Sequence, residues 1–351
     1  MSRRPRVCWP PRTCTWGWPG RSRSRTRAPR MPRWTPPNFR PPRDTDSVRI
    51  LLTGASSFTG SVLANGLVAA GHEVHAALRG PDGGYDGVRG NRVASLSTKV
   101  TAHFGVSHAT GSLARLIAEV RPHALLVHAH PMDGFKNADY PLLAAVGEMS
   151  DRIPEQMDAL VDGGGTHVVY SGSYYEPSSG LGTFRHAAVS PYGLSKAMVY
   201  ELFRLHAEQR GLGMRKFVIP NPFGPGEDGR FGNYLARVWA EGDVPVIQTP
   251  NYVRDNIPVQ ELVARYVRYV AHLDVAPPEL RPSGYIETQG EFARRMAREI
   301  GARLGRRLDV DQREDAPHPE PLVIANDGSR SAEFGELESA YWDAYAEGFF
   351  S

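Results

Sequence analysis

VRILLTGASSFTG, residues 48–60, opens on a short apolar run rich in strand formers and closes on a turn between two glycines. A run of that kind, without apolar and polar alternation, is how a strand buried on both faces of a parallel sheet reads. SVLANGLVAAG (61–71) follows with helical spacing and stops at Gly71, a residue suited to end a helix. A glycine-rich turn between a first strand and a helix lets backbone amides and the helix N-terminus face a pyrophosphate. Gly54, Ser57, Phe58 and Gly60 are the candidate contacts. The strict G-x-G-x-x-G pattern is absent, as is the Gly-Lys-Ser/Thr of a P-loop, so the reading rests on position.

Working outward, HEVHAALRG (72–80) is a second strand, SLARLIAEVRP (112–122) a helix, HALLVHAH (123–130) a strand, and the stretch around Pro154 is again helical. THVVYSGS (166–173) is a further strand, while Gly80 to about Lys99 reads as a polar, Gly-rich connection. Strands alternating with helices predict right-handed crossovers and a doubly wound parallel α/β sheet. Function in such a sheet gathers just after the strands' carboxyl ends. Arg79 ends the second strand, where an acid suits the ribose hydroxyls of NAD and an arginine the 2′-phosphate of NADP. NADP(H) is therefore preferred to NAD(H).

The 351 residues carry 41 Lys and Arg against 38 Asp and Glu, yet this balance is uneven. Residues 1–45 hold 12 of the basic residues and a single acid, Asp44, which leaves 29 basic and 37 acidic for the remainder. The body is acidic, and nucleic-acid binding through it is not expected. The Arg/Pro-rich tail shows neither strand nor helix period and is expected to be disordered, with Met31 available as a later start. Both cysteines, Cys8 and Cys14, lie in that tail, so no thiolate site is expected in the body. No stretch approaches the roughly 18 apolar residues that span a bilayer. A cytoplasmic protein without membrane contact is expected. His123, His128 and His130 flank and end an apolar run, where packed or hydrogen-bonded histidines are commoner than ligands, and no metal is expected.

SPYGLSKAMVYELF (190–203) begins a helix with Pro191 in its first turn. Tyr192 and Lys196, four residues apart, fall on one face, where an ammonium can act on a phenol. Taken together, TGASSFTG, VYSGSYY and YGLSK resemble the extended branch of the short-chain dehydrogenase/reductase superfamily, the nucleotide-sugar epimerases, dehydratases and 4-ketoreductases. NPFGPGED from Asn221 and RDNIPVQELVARYV from Arg254 are similar to two further segments of that family, so the resemblance runs over about residues 48–300. It implies a Rossmann fold in which Tyr192 is general acid/base, Lys196 holds the nicotinamide ribose and lowers the phenol's pKa, and Ser173 bonds the reacting oxygen, with Ser171 the alternative. It likewise implies that Asn221 and Arg254 touch the substrate's diphosphate, and it brings with it a homodimer through a helix pair.

Departures narrow the activity. Ser57 stands where the family's phosphate turn has its central glycine, an acid near the adenine is missing around HFGVSHATG, and Tyr174 and Tyr175 follow Ser173 where dehydratases carry Asp-Glu. These features favour an NADPH-dependent reductase of a keto group on a nucleotide-activated sugar. An NAD-dependent 4-epimerase is the second enzyme reading, and a non-catalytic dinucleotide-binding sensor or interaction protein the third. The expected division is a tail at 1–45, a nucleotide-binding domain at 46–220 and a smaller α/β substrate-binding part at 221–351 that interleaves with the first around 245–272.

Overall fold

The computed structural model describes residues 47–177, 187–313, 320–328 and 330–350. The basic tail, and most of the loop after Glu176, lie outside the described residues. The N-terminal half runs β1 (Arg49–Thr53), α1 (Phe58–Ala69), β2 (Glu73–Leu78), α2 (Gly87–Ala94), β3 (Val100–Phe104), α3 (Ser112–Val120), β4 (Ala124–Val127), α4 (Leu142–Ser150), α5 (Ile153–Asp162), β5 (His167–Ser173), α6 (Pro191–Glu208) and β6 (Gly213–Ile219). The remainder is β7 (Asn221–Phe223), α7 (Phe231–Ala240), β8 (Val246–Ile247), β9 (Val253–Pro258), α8 (Val259–Val270), β10 (Glu279–Leu280), β11 (Tyr285–Thr288), α9 (Gln289–Leu304), β12 (Asp311–Gln312), β13 (Val323–Ile324) and α10 (Phe334–Phe350).

The main sheet has the order β10-β6-β5-β4-β1-β2-β3, and its strand pairs are parallel. Order reverses between β1 and β4, which opens a crevice at the carboxyl ends of those two strands. Ile50, Leu51 and Leu52 are fully buried because α1 and α8 cover one face while α3, α5 and α6 cover the other. That double cover is why β1 reads as an unbroken apolar run. Val263, Tyr266 and Val267 of α8 enter the same core as Leu63 and Leu67 of α1, so chain beyond Asn221 returns to the N-terminal half.

Two elements differ from the sequence reading. The polar connection after Gly80 contains α2, which packs Val93 on the core and is anchored by Arg92: its guanidinium, 4% exposed, donates to Gly226 O and to the Asp228 carboxylate. The helical stretch around Pro154 is two helices, since proline is tolerated only in a first turn, and α5 starts there.

The C-terminal part has its own core, in which Tyr341, Trp342 and Tyr345 of α10 pack on Phe223, Tyr285 and Phe292. Glu227 is sealed beside it, with Oε1 accepting from the Tyr345 hydroxyl at 2.8 Å. Burial pushes this carboxyl up to about 7 from an ordinary 4.5. Folding therefore favours the protonated form: the benefit is complete below about 4.5 and is lost as pH rises through about 7. At pH 8 the Glu227→Gln variant should melt a few degrees above wild type, and thermal scans at pH 4 should bring the two together.

Candidate active site

The phosphate turn is built from β1 outward. Gly54 has φ +80°, and a Cβ there would stand 2.8 Å from the Ala129 amide, so the turn presses directly on the chain leaving β4. Thr53 Oγ1 fixes the other side, accepting from the amides of His128 and Ala129 at 3.1 Å each. Ser57 caps α1 by accepting from Gly60 N at 3.0 Å, and Ser57 O takes Ser61 N. The amides of Phe58 and Thr59 are what remains of the helix's orphan donors, and they lie at its positive end. The serine at the family's glycine position has ordinary extended backbone and spends its hydroxyl on the helix cap. This cradle fits a dinucleotide pyrophosphate.

Behind it stands His128, hydrogen-bonded as the sequence reading has it, with partners that the sequence does not name. His128 Nε2 lies 2.9 Å from Thr59 Oγ1 and 3.2 Å from Ser57 Oγ, while Nδ1 lies 2.9 Å from Ser171 Oγ. One imidazole thus ties the start of α1 and the end of β4 to β5. Burial, aided by the Lys196 charge, lowers its pKa to about 3, so the ring is neutral and can both give and accept. Ser171 is consumed by this network and almost fully buried, whereas Ser173, two residues on, is partly open at the strand's end.

The start of α6 comes down on that strand end. Ser190 caps the helix by accepting from Gly193 N, Val189 N donates to Tyr175 O at 3.0 Å, and the Tyr170 hydroxyl donates to Lys196 O at 3.0 Å. Tyr192, 7% exposed, is boxed by the rings of His130, Phe135 and Tyr140, with centroids 5.4, 5.4 and 5.8 Å away. Lys196 Nζ sits 6.0 Å from the Tyr192 ring and 4.9 Å from that of Tyr170. Against the lowered phenol pKa that the resemblance implies, burial raises the Tyr192 phenol well above its ordinary value, and the Glu176 carboxylate adds to this. Burial lowers Lys196 to about 8 against the opposing pull of Glu176. The pair thus carries a proton on the phenol and, below pH 8, a charge on the amine.

His130 was another residue without an assigned role. Ser195 Oγ donates to Tyr192 O at 2.8 Å, so it accepts at 2.9 Å from His130 Nε2–H, which leaves Nδ1 as a bare acceptor. Both histidines follow β4 directly, and the strand-end rule that singled out Arg79 was the available signal.

Arg79 reaches Glu148 on α4 at 2.8 Å, with both side chains substantially exposed. Asn221 Nδ2 donates to Asn256 Oδ1 at 2.7 Å across the β7–β9 pair. Arg254 is buried and bonded to Glu320. Arg230, just before α7, had not been singled out; its guanidinium lies 5.6 Å from the Phe58 ring, and its charge acts on Tyr174, Tyr175 and Tyr192. Among the described residues no group of three or more His, Cys, Asp or Glu could hold a metal ion, and no helix is long and apolar enough to cross a membrane.

Residues 50–280 match the model of the NAD dependent epimerase/dehydratase family. The fold is similar to that of a UDP-glucose 4-epimerase from Thermotoga maritima, solved with UDP-glucose, at TM-score 0.65 and 17% identity over 86% of this chain and 98% of that one. A UDP-N-acetylglucosamine 4-epimerase from Methanobrevibacter ruminantium gives TM-score 0.66 and 17% identity over 86% and 99%. A dTDP-glucose 4,6-dehydratase from Streptomyces venezuelae, solved with NAD bound, gives 0.65 and 18% over 85% and 97%. No curated protein matches the chain in sequence.

Proposed function

The chain belongs to the NAD dependent epimerase/dehydratase family, as an NAD(P)-dependent enzyme of the extended short-chain dehydrogenase/reductase type, and we propose that it reduces a keto group on a nucleotide-activated sugar. The observation that supports the reading is that α6 is tied to β5 and the turn after it, through Tyr170 OH to Lys196 O and Val189 N to Tyr175 O, while Lys196 Nζ lies 6.0 Å from the Tyr192 ring. A bound NADPH would supply the hydride. Ser173 Oγ would hold the carbonyl oxygen, and Tyr192, whose phenol burial keeps protonated, would give that oxygen its proton. Lys196 would bind the nicotinamide ribose and, as an ammonium, steady the phenolate left behind.

Dehydration lacks its acid/base pair. Tyr174 and Tyr175 stack on each other 5.0 Å apart, and Glu176 accepts from Ser173 N while its other oxygen lies 2.6 Å from Lys216 Nζ. A 4-epimerase is the second reading, and one contact favours it. Arg92 in the nucleotide half grips Gly226 O and Asp228 while lying over the Phe58 ring, a latch suited to a cofactor that stays bound through many turnovers.

NADPH absorbance followed against a panel of nucleotide-linked 4-keto-6-deoxyhexoses separates them. Stoichiometric consumption supports the reductase; no consumption, with NAD released on denaturation, supports the epimerase. Arg79 gives a finer test. Its exposed bond to Glu148 is worth about 1 kcal/mol or less, too little to keep it from a 2′-phosphate. Arg79→Ala should raise the KM for NADPH about tenfold and leave that for NADH unchanged; equal effects on both would remove Arg79 from cofactor choice.

A further inference from the structure

Arg254 on β9 already holds an anion. Its Nη1 donates to the carbonyls of Val253, Pro321 and Leu322 at 2.8, 3.2 and 3.2 Å, and its Nη2 donates to Glu320 Oε2 at 2.7 Å. The Tyr252 ring covers the guanidinium carbon at 5.0 Å. The arginine side chain is 4% exposed and the Glu320 side chain 24%, so the carboxylate plugs the open side of the fork. The charge of the same carboxylate is felt by Lys136 and by Tyr174 and Tyr175, the two residues that follow β5.

We propose that Glu320 is a specificity-determining residue, a built-in competitor that occupies Arg254 until the diphosphate of the substrate displaces it. The inference rests on the nucleotide-sugar reading above. A guanidinium buried to this degree cannot be left bare, because an uncompensated buried charge is strongly destabilising. A phosphate oxygen that takes the carboxylate's place at Nη2 keeps Arg254 paired. A neutral ligand that pushes Glu320 aside leaves the charge unpaired, so the pocket admits an anion in exchange for its own. The exchange lowers the apparent affinity of a diphosphate by the fraction of molecules in which Arg254 is free.

Calorimetric titration of the full chain with UDP and dTDP, and with uridine and thymidine as uncharged counterparts, tests this. Glu320→Gln, which keeps the size of the side chain and removes its charge, should bind the preferred diphosphate about tenfold tighter and leave both nucleosides unchanged. Glu320→Asp, shorter by one methylene, should fall between, and it serves if the glutamine variant folds poorly. Diphosphate affinity that is unchanged or weaker in folded variants overturns the proposal and makes Glu320 a support for Arg254. Absence of diphosphate binding in wild type and variants alike overturns the nucleotide-sugar reading, and the inference with it.

Discussion

Tyr192→Phe is expected to lower turnover by about a thousandfold while cofactor affinity and melting temperature stay near wild type. The ring contacts with His130, Phe135 and Tyr140 are made by the aromatic face and edge, and phenylalanine keeps them. Only the hydroxyl is lost, and with it the proton that a ketone oxygen must receive. Single-turnover NADPH oxidation, paired with a fluorescence titration of the cofactor, reads the two effects apart. A variant retaining more than about a tenth of wild-type turnover would take the acid role from Tyr192. The wild-type pH profile bears on the same pair. Lys196 is an ammonium below about 8, so the reductive rate should hold below that pH and fall as pH rises through it.

The second large effect is expected from the smallest substitution, Gly193→Ala. A Cβ at this position would lie 2.0 Å from Tyr175 O, a backbone atom that also accepts Val189 N at 3.0 Å and has no slack to retreat. The first turn of α6 must lift away from the end of β5, taking Tyr192 away from Ser173. A displacement of about 1 Å between reacting groups costs roughly a hundredfold, and overpacking adds about 1–3 kcal/mol of destabilisation. Steady-state kinetics with thermal melting would show both. Leu194→Ala, next in the chain and 40% exposed, is the control and should stay within about twofold. Full activity in the glycine variant would mean that some other contact sets the spacing of Ser173 and Tyr192.

Much of the site's address was legible because each landmark stands at a strand end or a helix start, where turn chemistry leaves a local mark. Gly54 and Gly60 mark the first turn, and Pro191, Tyr192 and Lys196 mark the helix after β5. α2 was not legible because it is held by a buried arginine that reaches a carbonyl 134 positions away, and no local pattern encodes such a bond. His128 and His130 were visible as residues but not as parts of a site, since their meaning lies in hydroxyls brought from α1, β5 and α6.

By itself the sequence determined the alternation of strands and helices, and with it a doubly wound sheet, because apolar period and glycine turns act over a few residues. It also determined where along the chain the strand ends and helix starts that carry the candidate residues would stand. The partners of each charge were decided only by the tertiary structure. Arg254 meets Glu320, Arg79 meets Glu148 and Glu227 is sealed against Tyr345, and each of these pairs is distant in sequence. Electrostatic partnership depends on distance through space and on exclusion of water, and both exist only once the chain has folded.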